Sequence, residues 1–343
     1  MATPHLRTCS LCEALCGLVI EAEDGRVRSI RGDAEDVLSH GHICPKAVAL
    51  QDLHEDPDRL RRPMRRRGSS WEEIGWDEAL DETAARLLDV QARHGRNAVA
   101  IYQGNPVAHS YGALIFGPFL ARALRTRSRY SATSVDQLPH MLASLLMFGH
   151  QLRLPVPDVD RTQHFLMFGA NPLASNGSLM TAPGIGRRLQ SLRARGGRLV
   201  VVDPRRTETA ALADLHVPIR PGTDALLLLG MIHTLFATER VNPGRLAQFT
   251  DGIDTMAALV RDFTPEAVAG PTGVPPETVR RLATELADAP FGVCYGRVGV
   301  STQEFGGLAC WLINVVNILT GNLDRSGGFM FPRAAADVIA SLR

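Results

Sequence analysis

Four cysteines near the amino terminus are the residues of this chain whose types and spacing point most directly to chemistry. They fall as Cys9-x2-Cys12-x3-Cys16 in "TCSLCEALCG", with Cys44 in "GHICPKA" after a gap of 27 residues. A C-x2-C turn can aim two thiols at one metal centre, a third cysteine continues the same loop, and the fourth must be brought back by the fold. The intervening "LVIEAEDGRVRSIRGD" reads as a β-hairpin turning at Asp24-Gly25, with Val27, Ser29 and Ile30 in the return strand. Structural zinc usually takes two cysteine knuckles, and Cys44 has no partner cysteine nearby. Three close cysteines and one distant one suit a [4Fe–4S] cubane better. On spacing alone, zinc and coincidence stay open. The other two of the six cysteines, Cys294 and Cys310, lie in apolar segments and read as buried structural thiols.

The elements that position further chemistry begin near residue 70. "SSWEEIGWDEALDETAARLLDVQARHG" reads as a helix of about 17 residues stopped by Gly95. Short apolar runs then alternate with helical segments. "AVAIYQG" (98–104), "HFLMFGANP" (164–172), "RLVVVDPRR" (198–206) and "PFGVCYGR" (290–297) read as strands. Helices are expected at about 110–123, 138–148, 181–194, 225–239, 275–288 and 304–320. Such alternation implies a parallel sheet covered by helices on both faces, with ligands beyond the carboxyl ends of the strands.

Those ends carry Gly169-Ala170-Asn171-Pro172, Asp203-Pro204-Arg205 and Gly296-Arg297. Glycine permits close backbone approach, a carboxylate can accept from a ribose or base, and arginine can fork onto phosphate. This is a nucleotide-type site, although the same residues also serve as turn formers. No Walker "GxxxxGK[ST]" follows a strand and no clean GxGxxG follows the first one, which disfavours ordinary ATP and NAD sites. In "PGTDALLLLGMI", Thr223 or Asp224 can cap a helix, so capping and ligand binding both account for Asp224.

Composition bounds the rest. The 343 residues are 45% hydrophobic and 21% charged, with 37 Lys+Arg against 36 Asp+Glu. That balance makes an ordinary globular protein with no global electrostatic case for nucleic acid. The basic run "RLRRPMRRRG" (59–68) reads as a solvated linker. No stretch approaches 18 uninterrupted apolar residues, so no membrane span is expected. The opening "MATPHLRTCSLC" lacks a signal-peptide core and a twin-arginine pair, which points to a cytoplasmic chain with reduced thiols.

Five segments in order resemble the molybdenum/tungsten bis-pyranopterin oxidoreductases, the superfamily of dimethyl sulfoxide reductase, nitrate reductases and formate dehydrogenases. They are the cysteines ending in "CPKA", "RRPMRRRGSSWEEIGWDEAL", "FGANPLASN", "VVVDPRRTETAALADLHVPIRPGTD" and "LTGNLDRSGG". The resemblance implies an α/β fold: a small iron–sulfur domain over residues 1–60, then Rossmann-like parallel-sheet layers over 61–343. It implies that Cys9, Cys12, Cys16 and Cys44 hold a [4Fe–4S] cluster, with Lys46 between the cluster and a pterin. Asn171, Ser175, Asp203, Arg205, Gly222 and Asp224 would contact a molybdopterin guanine dinucleotide, with Asp224 at the guanine edge. Gln303, in "GRVGVSTQEFGG", would contact a pterin; this segment departs from the family by one extra residue and by Glu304 where histidine is common.

The family's metal ligand comes from the segment before the "FGANP" strand, here "RYSATSVDQLPHMLASLLMFG", which has no cysteine. Alignment puts Asp136 at the ligand position, with Ser131 and Ser134 as rivals and no protein ligand as a further alternative. A carboxylate is a hard donor suited to an oxidised metal. The resemblance therefore implies a molybdenum or tungsten bis-molybdopterin guanine dinucleotide oxidoreductase. A nitrate-type oxyanion is the first substrate, and the redox partner is a ferredoxin, flavoprotein or electron-transfer subunit. A non-catalytic electron-transfer subunit or a truncated fragment is the alternative, because members of the family run to about twice this length.

Overall fold

A computed structural model describes residues 3–134, 136–177, 179–180, 182–333 and 339. The chain divides into two compact units, Met1–Ala132 and Thr133–Arg343.

The first unit opens with an antiparallel meander of β1 (Thr3–Thr8), β2 (Gly17–Glu23) and β3 (Arg26–Gly32). The β2–β3 turn is the expected one. Asp24 and Gly25 both have positive φ, 50° and 75°, the pairing that matches the twist of a two-residue hairpin. Two short helices follow, α1 (Pro45–Val48) and α2 (Leu50–Glu55). Glu55 accepts from the Val27 N–H and Gln51 donates to the Val27 carbonyl, which straps α2 to β3.

Next come the hairpin β4 (Met64–Arg67) and β5 (Ser70–Glu73), α3 (Trp76–His94), β6 (Ile101–Gln103), α4 (Tyr111–Leu124) and β7 (Arg129–Ser131). β4 lies inside the basic run that reads as a linker. The acidic residues just downstream explain why it is ordered: Arg65 reaches Glu72, Glu78 and Glu82 at once. Gly95 stops α3 as expected. The strand expected at 98–104 does not join the main sheet; among the described residues β6 pairs with β7 alone, in parallel.

The second unit contains α5 (Leu138–Phe148), β8 (Val156–Pro157), β9 (His164–Phe168), α6 (Pro172–Ser175), α7 (Ile185–Ala194), β10 (Arg198–Val202), α8 (Glu208–Leu212) and β11 (Leu215–Val217). It continues with α9 (Asp224–Ala237), α10 (Ile253–Leu259), α11 (Pro265–Thr272), α12 (Pro276–Asp288), β12 (Gly292–Gly296), α13 (Val298–Ser301), α14 (Gly306–Leu319) and β13 (Phe329–Met330). Thr181, first residue of the helix expected at 181–194, lies outside the described residues.

The sheet runs β11-β10-β9-β12 and every pairing in it is parallel. Phe165 to Phe168 and Leu199 to Val202 are wholly buried, the continuous apolar strands that a sheet covered on both faces requires. Helix α12 shows how it is covered. Val279, Leu282, Ala283 and Leu286 recur at helical spacing and are all buried, while Glu277 and Arg280 lie on the outside.

β12 is an edge strand whose outer side is closed by side chains. Asn317 of α14 accepts from the Cys294 N–H (3.0 Å) and donates to the Cys294 carbonyl (2.7 Å). Asn322 accepts from the Gly292 N–H, the next outward donor on that edge. The two amides stand in for a fifth strand, since buried backbone groups must find partners. Replacing Asn317 by Leu keeps the volume and strips both partners from Cys294. The expected cost is about 2–6 kcal/mol of folding free energy, at about 1–3 for each of the two orphaned groups. Urea unfolding checks it, and a loss below about 1 kcal/mol would count against this role.

His164 begins β9, is 4% exposed and has no partner at Nε2. Burial, and secondarily the Arg198 charge, lower its pKa to about 4. A depressed imidazole pKa means that the unfolded chain binds the proton first. Stability is therefore full above pH 6.5 and falls between there and about pH 4, by up to about 3 kcal/mol. His164→Leu should flatten that part of the stability–pH curve, read by denaturation at pH 7 and pH 4.5; an unchanged slope would assign the loss elsewhere.

Candidate functional site

The first unit builds a thiol loop. The β1–β2 ladder ends at Thr8 and Gly17, and the Cys9 N–H then donates to the Cys16 carbonyl at 2.9 Å, closing a hairpin loop. Inside it the Leu15 N–H donates to the Cys12 carbonyl, with Leu15 in the left-handed region at φ 50°. Three of the cysteines thus share one turn.

Cys44 returns through residues 33–44, and two glycines permit the return. A Cβ on Gly32 would stand 2.1 Å from the Gly41 carbonyl oxygen, and one on Gly17 would stand 2.5 Å from the Asp36 Cβ. Ser39 locks the approach: its hydroxyl donates to Asp36 (2.6 Å) and accepts from the Gly17 N–H (3.1 Å). The bond from Ser39, ahead of smaller backbone contributions, holds the Asp36 carboxyl below its ordinary pKa. Cys44 then caps α1, its carbonyl accepting from the Ala47 N–H, and Lys46 stands exposed on that first turn.

All four thiols are free and fall in one cluster with Ala14, Leu18, Ala47, Ile20 and Ile30. Burial, then the neighbouring thiols Cys9, Cys12 and Cys44, push the Cys16 pKa to about 11. Cys9 is raised too, chiefly by burial, with the Lys46 charge opposing the rise. Among the described residues no three His, Cys, Asp or Glu side chains close on a point as ligands of one ion would. Four thiols gathered in an apolar shell with an adjacent cation are a donor set that fits an iron–sulfur group, whose positive irons would hold them as thiolates.

The second unit builds a crevice. From β9 the chain proceeds outward to β10 and β11, then returns to place β12 on the other side of β9. The reversal falls at β9 and β12, and in open α/β sheets ligands bind beyond the carboxyl ends of the strands at such a point. Two backbones cross there. Gly169 has φ 51°, and a Cβ on it would meet the Gly299 carbonyl carbon at 2.8 Å. The Gly299 N–H donates to the Gly169 carbonyl at 3.0 Å.

Gln303 follows on the same turn, its amide donating to Asp224 (2.8 Å) and to the Gly299 carbonyl (3.2 Å). Its Oε1 is buried without a partner, 3.9 Å from where a Gly222 Cβ would stand. Asp224 is 5% exposed, and burial, with a further contribution from Asp203, raises its pKa. Thr223 makes no capping bond; its hydroxyl donates to the Arg220 carbonyl instead. Capping by Thr223 is thereby excluded, while Asp224 is engaged by Gln303. A buried carboxylate beside an unpaired amide oxygen is an acceptor pair that fits a ligand carrying adjacent N–H donors, as the guanine edge does.

The other strand-end residues form a second group. Asn171 accepts from the Thr209 hydroxyl (2.7 Å) and donates to Glu208 (2.7 Å), pinning the β9 loop to α8. Arg205 lies exposed 3.9 Å from Glu208, and Ser175 is exposed at the end of α6. Asp203 accepts from the Arg205 N–H, fixing the turn after β10. The structure thus joins Asp203, Gly222, Asp224 and Gln303, and separately Asn171 and Arg205 through Glu208. Gly299, Glu208 and Thr209 escaped the sequence reading.

Asp136 is engaged by Arg297, whose Nη1 donates to its Oδ1 at 2.6 Å and approaches Gln137 at 3.4 Å. His140, one turn into α5, has a buried Nε2 without a partner. Burial, then the Arg297 charge, lower its pKa to about 4, with Asp136 opposing. Ser134, Leu138 and Pro139 line a groove together with Ser301, Gln303 and Glu304, so the start of α5 faces the Gln303 turn. Ser131 ends β7 in the first unit.

A switch-point crevice with a glycine crossing, in a chain that also carries a four-thiol loop, defines a cofactor-binding α/β protein with an appended cluster domain. The chain belongs to the molybdopterin oxidoreductase family. That family's sequence profile matches residues 59–340, and the profile of the molybdopterin oxidoreductase Fe4S4 domain matches residues 7–54. The two matches imply a [4Fe–4S] cluster and a molybdenum or tungsten molybdopterin cofactor.

The chain is 28% identical over 337 residues to the thiosulfate reductase molybdopterin-containing subunit of Salmonella typhimurium, covering 95% of this chain and 42% of that one. It is 27% identical over 347 residues to a nitrate reductase of Symbiobacterium thermophilum, covering 96% and 45%. Acetylene hydratase from Pelobacter acetylenicus superposes with a TM-score of 0.77 at 23% identity, covering 92% and 43%, a likeness of fold. The chain spans less than half the length of these relatives. Among the described residues no helix is long and apolar enough to cross a membrane.

Replacing Cys12 by Ala should remove most of the bound iron and the brown visible absorption of the purified protein. Full iron content in that variant would rule out the four-thiol assignment.

Proposed function

We propose that this chain forms part of a molybdenum- or tungsten-dependent oxidoreductase that moves electrons between a [4Fe–4S] cluster and a bis-molybdopterin guanine dinucleotide metal centre. The observation that carries the reading is the Asp224–Gln303 pair, whose unpaired acceptor lies beside Gly222 in a family chain that also bears four clustered thiols.

In this reading Cys9, Cys12, Cys16 and Cys44 hold the cluster, and Lys46 offsets its negative charge on the way to a pterin. Asp224, Gln303 and Gly222 take the guanine and pterin edges. Asp203 and Arg205 hold the sugar and phosphates, and Asn171 and Ser175 bound the β9 side. When bound, the metal centre supplies two-electron exchange with a substrate, and the cluster supplies single-electron relay.

Asp136 is the proposed protein ligand, and Arg297 fixes its orientation. A hard carboxylate donor with a guanidinium beside it favours a small oxyanion of the nitrate type. A soluble redox partner, whether ferredoxin, flavoprotein or electron-transfer subunit, and a cytoplasmic site of action complete the reading.

A second reading has one observation in its favour. Asp136 already spends an oxygen on Arg297, as it would in an electron-transfer subunit that keeps the cluster and forgoes a completed metal site.

Metal and pterin analysis of the purified protein tests both. The first reading expects about four irons together with molybdenum or tungsten and guanine dinucleotide. The second expects iron alone, and zinc alone would overturn both. In the loaded protein, Asp224→Ala should lower guanine dinucleotide content several-fold with iron unchanged. Joint loss of iron and nucleotide would make Asp224 a folding residue instead.

A further inference from the structure

His140 is a buried titratable group that the proposed chemistry leaves unused, and its surroundings give it a role. It lies in the first turn of α5, and its Nε2 is buried without a partner. It borders a cavity of about 20 Å³ between α5, β12 and α14, together with Ser144 from α5, Gly296 from β12, and Cys310 and Asn314 from α14. Ser144 and Asn314 are both buried, and no hydrogen bond within the protein engages either side chain among the described residues. The side chain of Asn317, one turn further along α14, makes three. Three polar side chains thus meet at one small interior space, although buried polar groups seldom go without a partner.

The size and chemistry of that space select its occupant. An interior water needs about 10–15 Å³ of such space and roughly two to four polar partners. The cavity meets both conditions for one molecule and leaves no room for a larger solute. Its titratable groups are uncharged near neutral pH. Burial, then the Arg297 charge, depress the His140 pKa to about 4, and burial pushes the Cys310 thiol up to about 12. A bound ion would therefore meet no opposite charge in the lining. Among the described residues no three His, Cys, Asp or Glu side chains gather there as metal ligands. A neutral imidazole presents one donor and one acceptor, which water complements in either tautomer.

We infer that this cavity is a binding site for a single ordered water, which His140, Ser144 and Asn314 hold between α5 and α14. The water bridges the two helices and fixes the first turns of α5 against α14 and β12. His140 is thereby a positioning residue. Asp136 stands just ahead of α5 and Arg297 follows Gly296 at the end of β12, so the bridge steadies the two groups that bond each other at 2.6 Å. The site does not rest on the redox reading: neither the thiol loop nor the Asp224–Gln303 pair enters it, and it stands whether or not Asp136 holds a metal.

Crystallography of the purified protein, at a resolution that shows ordered solvent, tests the site. The expected result is one water about 2.7–3.2 Å from His140 Nε2 and from side-chain polar atoms of Ser144 and Asn314. A cavity without density, a metal ion or larger molecule in it, or side chains turned to bond one another would overturn the inference. His140→Leu, which cannot hydrogen-bond, should lose the water, and His140→Gln, which can, should keep it. Asn314→Leu fills the space with apolar atoms and should also expel the water, so the test survives if His140→Leu fails to fold. A water unmoved in either leucine variant would mean that these side chains do not hold it. Amide hydrogen exchange at Met141 and Leu142 should quicken about tenfold in His140→Leu and hold in His140→Gln, the effect of one net hydrogen bond. Exchange that is unchanged in His140→Leu, or that quickens equally in both variants, would overturn the bridging role and leave the ring as packing.

Discussion

The crossing of two backbones at Gly169 and Gly299 is the constraint on which the second unit's site depends. Side chains at either position would force the strands' carboxyl ends apart, since each Cβ would stand under 3 Å from the other's backbone. With hydrogen in those places, the Gly299 N–H bonds Gly169 directly, and the turn from β12 into α13 is set against the turn after β9. That fixes Gln303, which draws in Asp224 from the start of α9, and it fixes Arg297, which reaches Asp136 at the start of α5. Two bonds between residues 79 and 161 positions apart in the chain therefore descend from one close approach. The asparagines that close the outer edge of β12 serve the same end. Without them the strand carrying the crossing would have unpaired backbone groups facing the interior.

Charge supplies the second organising idea. In both candidate sites the chain gathers groups whose ionised forms would share a sign and partly withholds solvent from them. Cys16 is pushed up by burial and by three neighbouring thiols; Asp224 is pushed up by burial and by Asp203. Structures without a ligand role usually pair such groups internally, as Asp36 is paired with Ser39 and Arg65 with three glutamates. The contrast within one molecule is informative. Where the fold alone is at stake, charge is satisfied on the spot; where a cofactor is expected, it is offset only in part.

Much of this was legible in the sequence, and the misses have physical causes. The Asp24-Gly25 turn, the stop at Gly95 and helices α5, α9, α12 and α14 follow from local chemistry and periodicity, which neighbouring residues carry. β11 went unread because it has three residues with His216 at its centre, too few to show a pattern. Helices α10 and α11 also went unread, although Thr264 before Pro265 and Glu266 is a recognisable start, and Thr264 does cap α11. The placement of β6 was misread because an apolar strand does not encode its neighbours; sheet membership is decided by what else the chain delivers to that edge. The four cysteines were legible as a set because their types are rare and their spacing is short. Arg297 beside Asp136, and Gln303 beside Asp224, were not, because no local signal records a meeting of distant loops.

The two units also allot their apolar side chains by different rules. In the second, most of the large apolar residues of β9, β10, α9, α12 and α14 are buried in one continuous core. In the first, the three-stranded meander gathers a small core around the thiols, while α3 and α4 contribute nothing buried. A sequence as apolar as α4, with alanine and glycine on the side that touches its own unit, has the composition of a central helix rather than a surface one. The cluster domain therefore owes its order to a tight loop and two glycine approaches, and the βαβ element beyond it keeps its bulky apolar side chains exposed.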